Sequence, residues 1–109
     1  MRLEYAGGAI LTGSAITNAL LRYAAALARA ETAISLDVPG RTVHGVEGTF
    51  QMLLGPSSQI LVEPTDDPDE LVDDEFLADL EGRIERLERP PHVVPWDEPP
   101  EFPSVSDQL

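Results

Sequence analysis

The sequence predicts an α+β fold in two layers, with two helices on one face of a mainly antiparallel sheet of about four strands and an extended C-terminal tail. Three observations predict it. Two segments carry apolar residues at helical spacing. Several short segments alternate apolar and polar residues, as half-buried strands do. Six of the ten prolines fall in residues 90–109. The chain therefore divides into an α+β domain over 1–89 and a proline-rich acidic tail over 90–109. At 109 residues it has room for one modest core, since a chain of this size buries roughly two thirds of its unfolded surface.

Residues 2–6 alternate, with Leu3 and Tyr5 opposed to Arg2 and Glu4, and read as a first strand ended by Gly7-Gly8. After Thr12-Gly13-Ser14, where Thr12 or Ser14 is placed to cap a helix, the chain is rich in alanine and leucine through Ala30. Ile16, Leu20, Tyr23 and Leu27 follow one helical face, and Asn18, Arg22, Ala25 and Arg29 follow the opposite one. Alanines 19, 24, 26 and 28 flank the apolar face and suit close packing on a sheet.

Thr32 to Val38 alternates again, with Ile34, Leu36 and Val38 on one side. Pro39-Gly40 reads as a turn, with Arg41-Thr42-Val43-His44 returning antiparallel. Phe50, Met52 and Leu54 alternate within 49–54 and favour a strand there. Gly55-Pro56-Ser57-Ser58 reads as a turn, and 59–63 as a further strand that Pro64 ends. The second helix is expected to start with Asp67 at N-cap, Pro68 at N1 and Glu70 at N3. Its core face runs Val72, Phe76, Leu80, Ile84 and Leu87, and Pro90-Pro91 stops it. Acids crowd its first turns and Arg83, Arg86 and Arg89 its last, as the helix dipole favours. Asp79–Arg83 and Glu85–Arg89 are i, i+4 pairs in the favourable order.

The chain carries 20 acids against 7 bases and no cysteine, for a net charge of −13. Every base is arginine. Up to Thr65 five acids face four arginines, and beyond it fifteen face three, so the acidity belongs to the C-terminal part. Such a surface repels nucleic-acid phosphates and anionic lipid, so direct binding of either is not expected. The acidity fits general solubility, and it also fits a basic partner for residues 66–109. Without cysteine there are no disulfides, thiolate metal sites or thiol nucleophiles. Residues 1–30 share Arg2, an apolar stretch and small residues near Ala28 with a signal peptide. Glu4, Thr12, Ser14, Thr17, Asn18 and Arg22 break that pattern, and the expected location is the cytoplasm.

Gly8 through Gly13-Ser14 has the glycine spacing of a phosphate-binding loop without its lysine, and a helix-capping turn explains the same residues. His44 and His92 stand at no metal-ligand spacing. The acids Asp66, Asp67, Asp69, Asp73, Asp74 and Glu75 lack the glycine and the terminal glutamate of a calcium loop. No catalytic residue, metal ligand or cofactor is assigned. In the tail, Trp96 and Phe102 are aromatic anchors with no place in a two-helix core, and Asp97, Glu98 and Glu101 surround them. The segment reads either as a solvated end or as an extended arm that docks on a groove with an apolar pocket and a basic or mixed rim.

The predicted element order and the run from Gly40-Arg41-Thr42-Val43-His44-Gly45-Val46-Glu47 to Leu54-Gly55 resemble the histidine-containing phosphocarrier HPr. The resemblance implies an HPr-like fold over 2–88, a short helix within 46–54, and Glu47 in the place of the regulatory serine. The phosphocarrier histidine is missing, because Leu11-Thr12-Gly13-Ser14 stands where it should be, and phosphoryl transfer is excluded. The run Leu53-Leu54-Gly55-Pro56-Ser57-Ser58-Gln59 is similar to one in short uncharacterised actinobacterial proteins, which implies no activity. The function expected is a non-catalytic protein-interaction module, a degenerate HPr-like domain if the resemblance holds. Two alternatives stand beside it: a small-ligand or weakly enzymatic domain using the Gly7–Ser14 turn, and an acidic nucleic-acid mimic. The expected partner is a protein, or a second copy of the chain.

Overall fold

A computed structural model describes residues 1–89, and residues 90–109 lie outside the described residues. The expectations for His92, Trp96, Asp97, Glu98, Glu101 and Phe102 fall in that outer part. Within 1–89 the order is β1 (Arg2–Tyr5), β2 (Gly8–Leu11), α1 (Ser14–Arg29), β3 (Ile34–Arg41), β4 (Glu47–Leu54), β5 (Ile60–Glu63) and α2 (Asp74–Glu88). The five strands form one antiparallel sheet in the order β4-β3-β2-β1-β5. The two-layer α+β architecture is the one the sequence predicts, with five strands in place of about four.

The added strand comes from the glycine pair after Tyr5. Gly7-Gly8 does not simply end β1. Ala6 and Gly7 both have positive φ, at 53° and 82°, and Tyr5 pairs with Gly8. That is a two-residue hairpin loop of the kind whose twist matches the flanking strands. β2 then pairs fully with β1 but touches β3 at a single position, Leu11 to Arg41.

Pro39-Gly40 is not a turn but lies inside β3, opposite Thr49 and Gly48 of β4. The Pro39 carbonyl accepts a hydrogen bond from the Thr12 hydroxyl at 3.0 Å. A residue's N–H and C=O leave a strand on the same side, so the missing N–H of Pro39 also faces away from β4 and removes nothing from that ladder. Gly40 is needed for close approach, because a Cβ there would lie 3.0 Å from Ile10 Cδ1 and 3.2 Å from the Leu11 carbonyl. The turn expected at 39–40 falls instead at 42–46. There Thr42 N–H donates to the Val46 carbonyl at 2.8 Å, and Gly45 takes a φ of 89°. Arg41-Thr42-Val43-His44 is therefore the end of β3 and its turn, and β4 is the returning strand. The strand expected over 49–54 lies inside β4, where the HPr resemblance implies a short helix.

α1 presents the two faces the spacing predicts. Ile16, Leu20, Tyr23 and Leu27 are buried, and Asn18, Arg22, Ala25 and Arg29 are exposed. Its end is a Schellman motif: Thr32 N–H reaches the Leu27 carbonyl and Glu31 N–H the Ala28 carbonyl, each at 3.1 Å, with Glu31 at φ 54° in the place glycine usually takes.

α2 starts six residues later than Asp67 at N-cap would have it. Its N-cap is Asp73, whose side chain accepts from Phe76 N–H at 3.0 Å. Asp67 caps a smaller turn by accepting from Asp69 N–H at 2.9 Å. Val72, expected on the core face, is 72% exposed. Both starts offer an aspartate, and packing chooses between them. Glu70 and Leu71 are engaged by α1 in a way that a helix through them would prevent. Leu80 and Ile84 are buried with α1 and the sheet, and Phe76 and Leu87 pack partly against them. Asp79–Arg83 pairs at 2.9 Å. Among the described residues the Glu85–Arg89 ion pair does not form, and Arg29 instead ties α1 to α2 through Glu88 at 2.5 Å.

Candidate functional site

A concavity lies where the β1–β2 hairpin turn, the end of β4 and the start of β5 meet. Glu4, Tyr5, Ala6 and Gly7 form one wall, Leu53 and Gly55 a second, and the 56–59 loop with Ile60 and Leu61 a third. It encloses about 610 Å³, within the range of a small-ligand or peptide side-chain pocket. The sheet is coiled enough to bring its two edge strands to this one cleft. The five-residue segment 55–59 joins edge strand β4 directly to edge strand β5.

Tyr5 sets the geometry of the floor. Its hydroxyl donates to the Leu53 carbonyl at 2.5 Å and accepts from the Leu53 N–H at 3.2 Å. One side chain of β1 thus satisfies the outward backbone groups of an edge residue three strands away in sheet order. Ser58 shapes the loop, accepting from Gly55 N–H at 2.9 Å and donating to the same Leu53 carbonyl at 3.1 Å. Gly55 closes the base, since a Cβ there would sit 2.7 Å from Ala33 Cβ. On the rim, Glu4 shares Arg2 with Glu63, at 3.1 and 3.5 Å.

Two hydroxyls of the lining are committed to shaping the cleft, while the Ser57 and Gln59 side chains that also line it are exposed. The Tyr5 and Ser58 hydroxyls bond backbone, and Glu4 is held by the guanidinium it shares with Glu63. The apolar part of the lining includes Leu53, Leu61, Ile60 and Pro56. Such a surface can receive apolar side chains and hydrogen-bond a peptide backbone.

The Gly7–Ser14 segment does not form a single loop. It divides into the hairpin turn, β2 and the Gly13 cap of α1. At the start of α1 both Ser14 donors are occupied by a carboxylate from the 64–73 strap. Glu70 Oε1 accepts from Ser14 N–H at 3.1 Å and Oε2 from the Ser14 hydroxyl at 2.7 Å. The Met1 ammonium lies 3.5 Å from Oε2. Neither Thr12 nor Ser14 caps this helix with its own side chain; the cap comes from 56 residues away in sequence. These bonds, that of the Ser14 hydroxyl first, hold the Glu70 carboxyl below the usual carboxylate range.

A depressed carboxyl contributes stability above its unfolded-state pKa and loses it as pH falls through the folded-state value. Glu70→Gln is therefore expected to melt below the native protein at neutral pH, with the gap closing as pH falls below about 4. Thermal melts of both proteins across that range check it, and a gap that persists unchanged into acid would exclude the carboxylate as its source.

The remaining acidic and histidine candidates have structural settings. Asp73 caps α2, with Asp74 and Glu75 in its first turn. Asp67 lies 3.9 Å from Arg41, which also donates to the Asp69 carbonyl at 2.6 Å. His44 is exposed in the 42–46 turn. Arg22 and Glu81 form a two-point ion pair between the helices; their mutual hydrogen bond raises the arginine pKa and lowers that of the glutamate. In the sequence Tyr5, Leu53 and Leu61 read only as strand residues. The available signal was that 48–62 carries no charged side chain in a chain otherwise dense with them.

Comparison with protein-family models, with curated proteins and with solved structures gave no match. Among the described residues no helix is long and apolar enough to cross a membrane.

Proposed function

We propose that the domain is a non-catalytic binding module that receives an apolar, extended segment of a partner protein in the cleft between the hairpin turn, β4 and β5. One observation carries this reading. Leu53 and Leu61, 58% and 56% exposed, flank the same cleft and leave core-sized side chains in water where the sheet edges converge. Two exposed leucines on one cleft of an otherwise acidic molecule support a contact site there. The tail residues Trp96, Asp97, Glu98, Glu101 and Phe102 supply a second contact in this reading, aimed at a basic or mixed groove. Five of the seven arginines, Arg2, Arg22, Arg29, Arg41 and Arg83, are already paired with carboxylates, which supports a groove on another chain over one on this domain.

The test is selection of a random peptide library on the full chain, with the Leu53→Glu, Leu61→Glu double variant as competitor. Enriched peptides with apolar residues at alternate positions, binding the double variant at least about ten-fold more weakly, support the proposal. Peptides that bind both proteins equally overturn it, as does a selection with no enrichment.

A further inference from the structure

Among the described residues, the outer edge of β4 beyond Glu47 is a strand edge without the devices that usually protect one. Exposed edges are normally blunted by charge, proline or bulges. β4 is eight residues long, and from Gly48 to Leu54 it has no charge and no proline. Because Tyr5 bonds both backbone groups of Leu53, the N–H and C=O groups that point away from β3 belong to positions 47, 49, 51 and 53. Those of Leu53 are capped. Those of Glu47, Thr49 and Gln51 make no hydrogen bond among the described residues, and all three side chains are exposed.

We infer that this edge pairs with the same edge of a second copy, antiparallel about a two-fold axis at Thr49. This surface is separate from the cleft proposed above. The register follows from which groups are free. It sets Thr49 opposite Thr49 of the second copy and Gln51 opposite Glu47, so that every uncapped outward group finds a partner and Leu53 is left to Tyr5. No carboxylate meets another, and Glu47 is already neutralised by Arg41 at 3.1 Å. On the other face the same register lays Phe50 over the bare Gly48 of the second copy, a favourable cross-strand pairing of aromatic and glycine. It also brings Val46, 64% exposed, opposite Met52. A foreign strand would need to match these features separately, whereas a two-fold supplies them from one sequence.

Pairing of so short an edge buries less than the roughly 800 Å² per partner of a standard interface, so the dimer is weak and depends on concentration. Two copies each of charge −13 repel at long range, and salt screens that repulsion. Dimerisation should therefore strengthen as salt rises, whereas contact with a basic partner would weaken.

The native chain has no cysteine, which makes disulfide trapping a clean test. In the full chain under mild oxidation, Thr49→Cys should give roughly ten-fold more covalent dimer than Leu61→Cys on the opposite edge strand, because paired edge residues bring Cα atoms within disulfide reach. Thr49→Pro removes only an outward N–H, so it should keep the native far-ultraviolet circular dichroism and thermal transition. It should also shift the sedimentation of the chain toward monomer. Equal trapping at both edges overturns the inference, as does a folded Thr49→Pro chain that still dimerises. So does a native chain that stays monomeric while Thr49→Cys forms no disulfide dimer.

Discussion

Leu20→Ala is expected to lower the unfolding free energy by roughly 2–5 kcal/mol, a large part of the stability of a domain this size. Leu20 is 0% exposed at the middle of α1 and belongs to the same cluster as Leu3, Val38, Leu54 and Leu80, so truncation removes apolar contacts from both layers. The cost combines the lost transfer of the deleted carbons with the cavity they leave, and a site walled by a sheet and a second helix collapses poorly. Leu80→Ala, equally buried on α2, should fall in the same range. Urea unfolding checks both. Midpoints unchanged by either substitution would mean that the helices do not pack on the sheet as described.

Gly13→Ala is the second large effect, and it probes the strap. A Cβ on Gly13 would lie 2.0 Å from the Leu71 carbonyl oxygen, and backbone, unlike a side-chain tip, cannot rotate away. The backbone angles of Gly13 are ordinary, φ −73° and ψ 157°, so the penalty is steric. Relief requires the 64–73 strap to move off the start of α1, which parts Glu70 from Ser14 and withdraws Leu71 from the core. Overpacking of this kind costs roughly 1–3 kcal/mol, and the lost carboxylate cap adds to it. Gly48→Ala is the control: the nearest atom to its added Cβ is 3.9 Å away, and the change should be close to neutral. Equal melting temperatures for the two alanine variants would refute the tight crossing at Gly13.

The periodicity of α1 and β4 was legible because each satisfies its environment through its own side chains. Ile16, Leu20, Tyr23 and Leu27 make a buried stripe by spacing alone, and Phe50, Met52 and Leu54 face inward by alternation. Turn chemistry was less informative. Pro39-Gly40 and Gly7-Gly8 are both strong turn signals, yet one lies within a strand and the other forms a hairpin. The difference is set by what approaches them: the Thr12 hydroxyl and Ile10 at Pro39-Gly40, and β2 at Gly7-Gly8. The same holds at the second helix, where Asp67 and Asp73 both present a capping side chain. Glu70 could not serve both as N3 of a helix begun at Asp67 and as the remote cap of Ser14.

The class of fold, the two faces of α1 and the charge asymmetry could be read from the chain alone, since these depend on residue type and local period. Tertiary structure alone decided where the candidate site lies. The cleft exists because Tyr5 of β1 reaches Leu53 of β4 and the 55–59 loop draws the two sheet edges together. The β4 edge, open among the described residues, likewise exists because β4 ends the strand order. Contacts across 48 residues and positions at a sheet boundary leave no periodic trace in the chain, because hydrophobic spacing records which face of an element is buried and not which neighbour buries it.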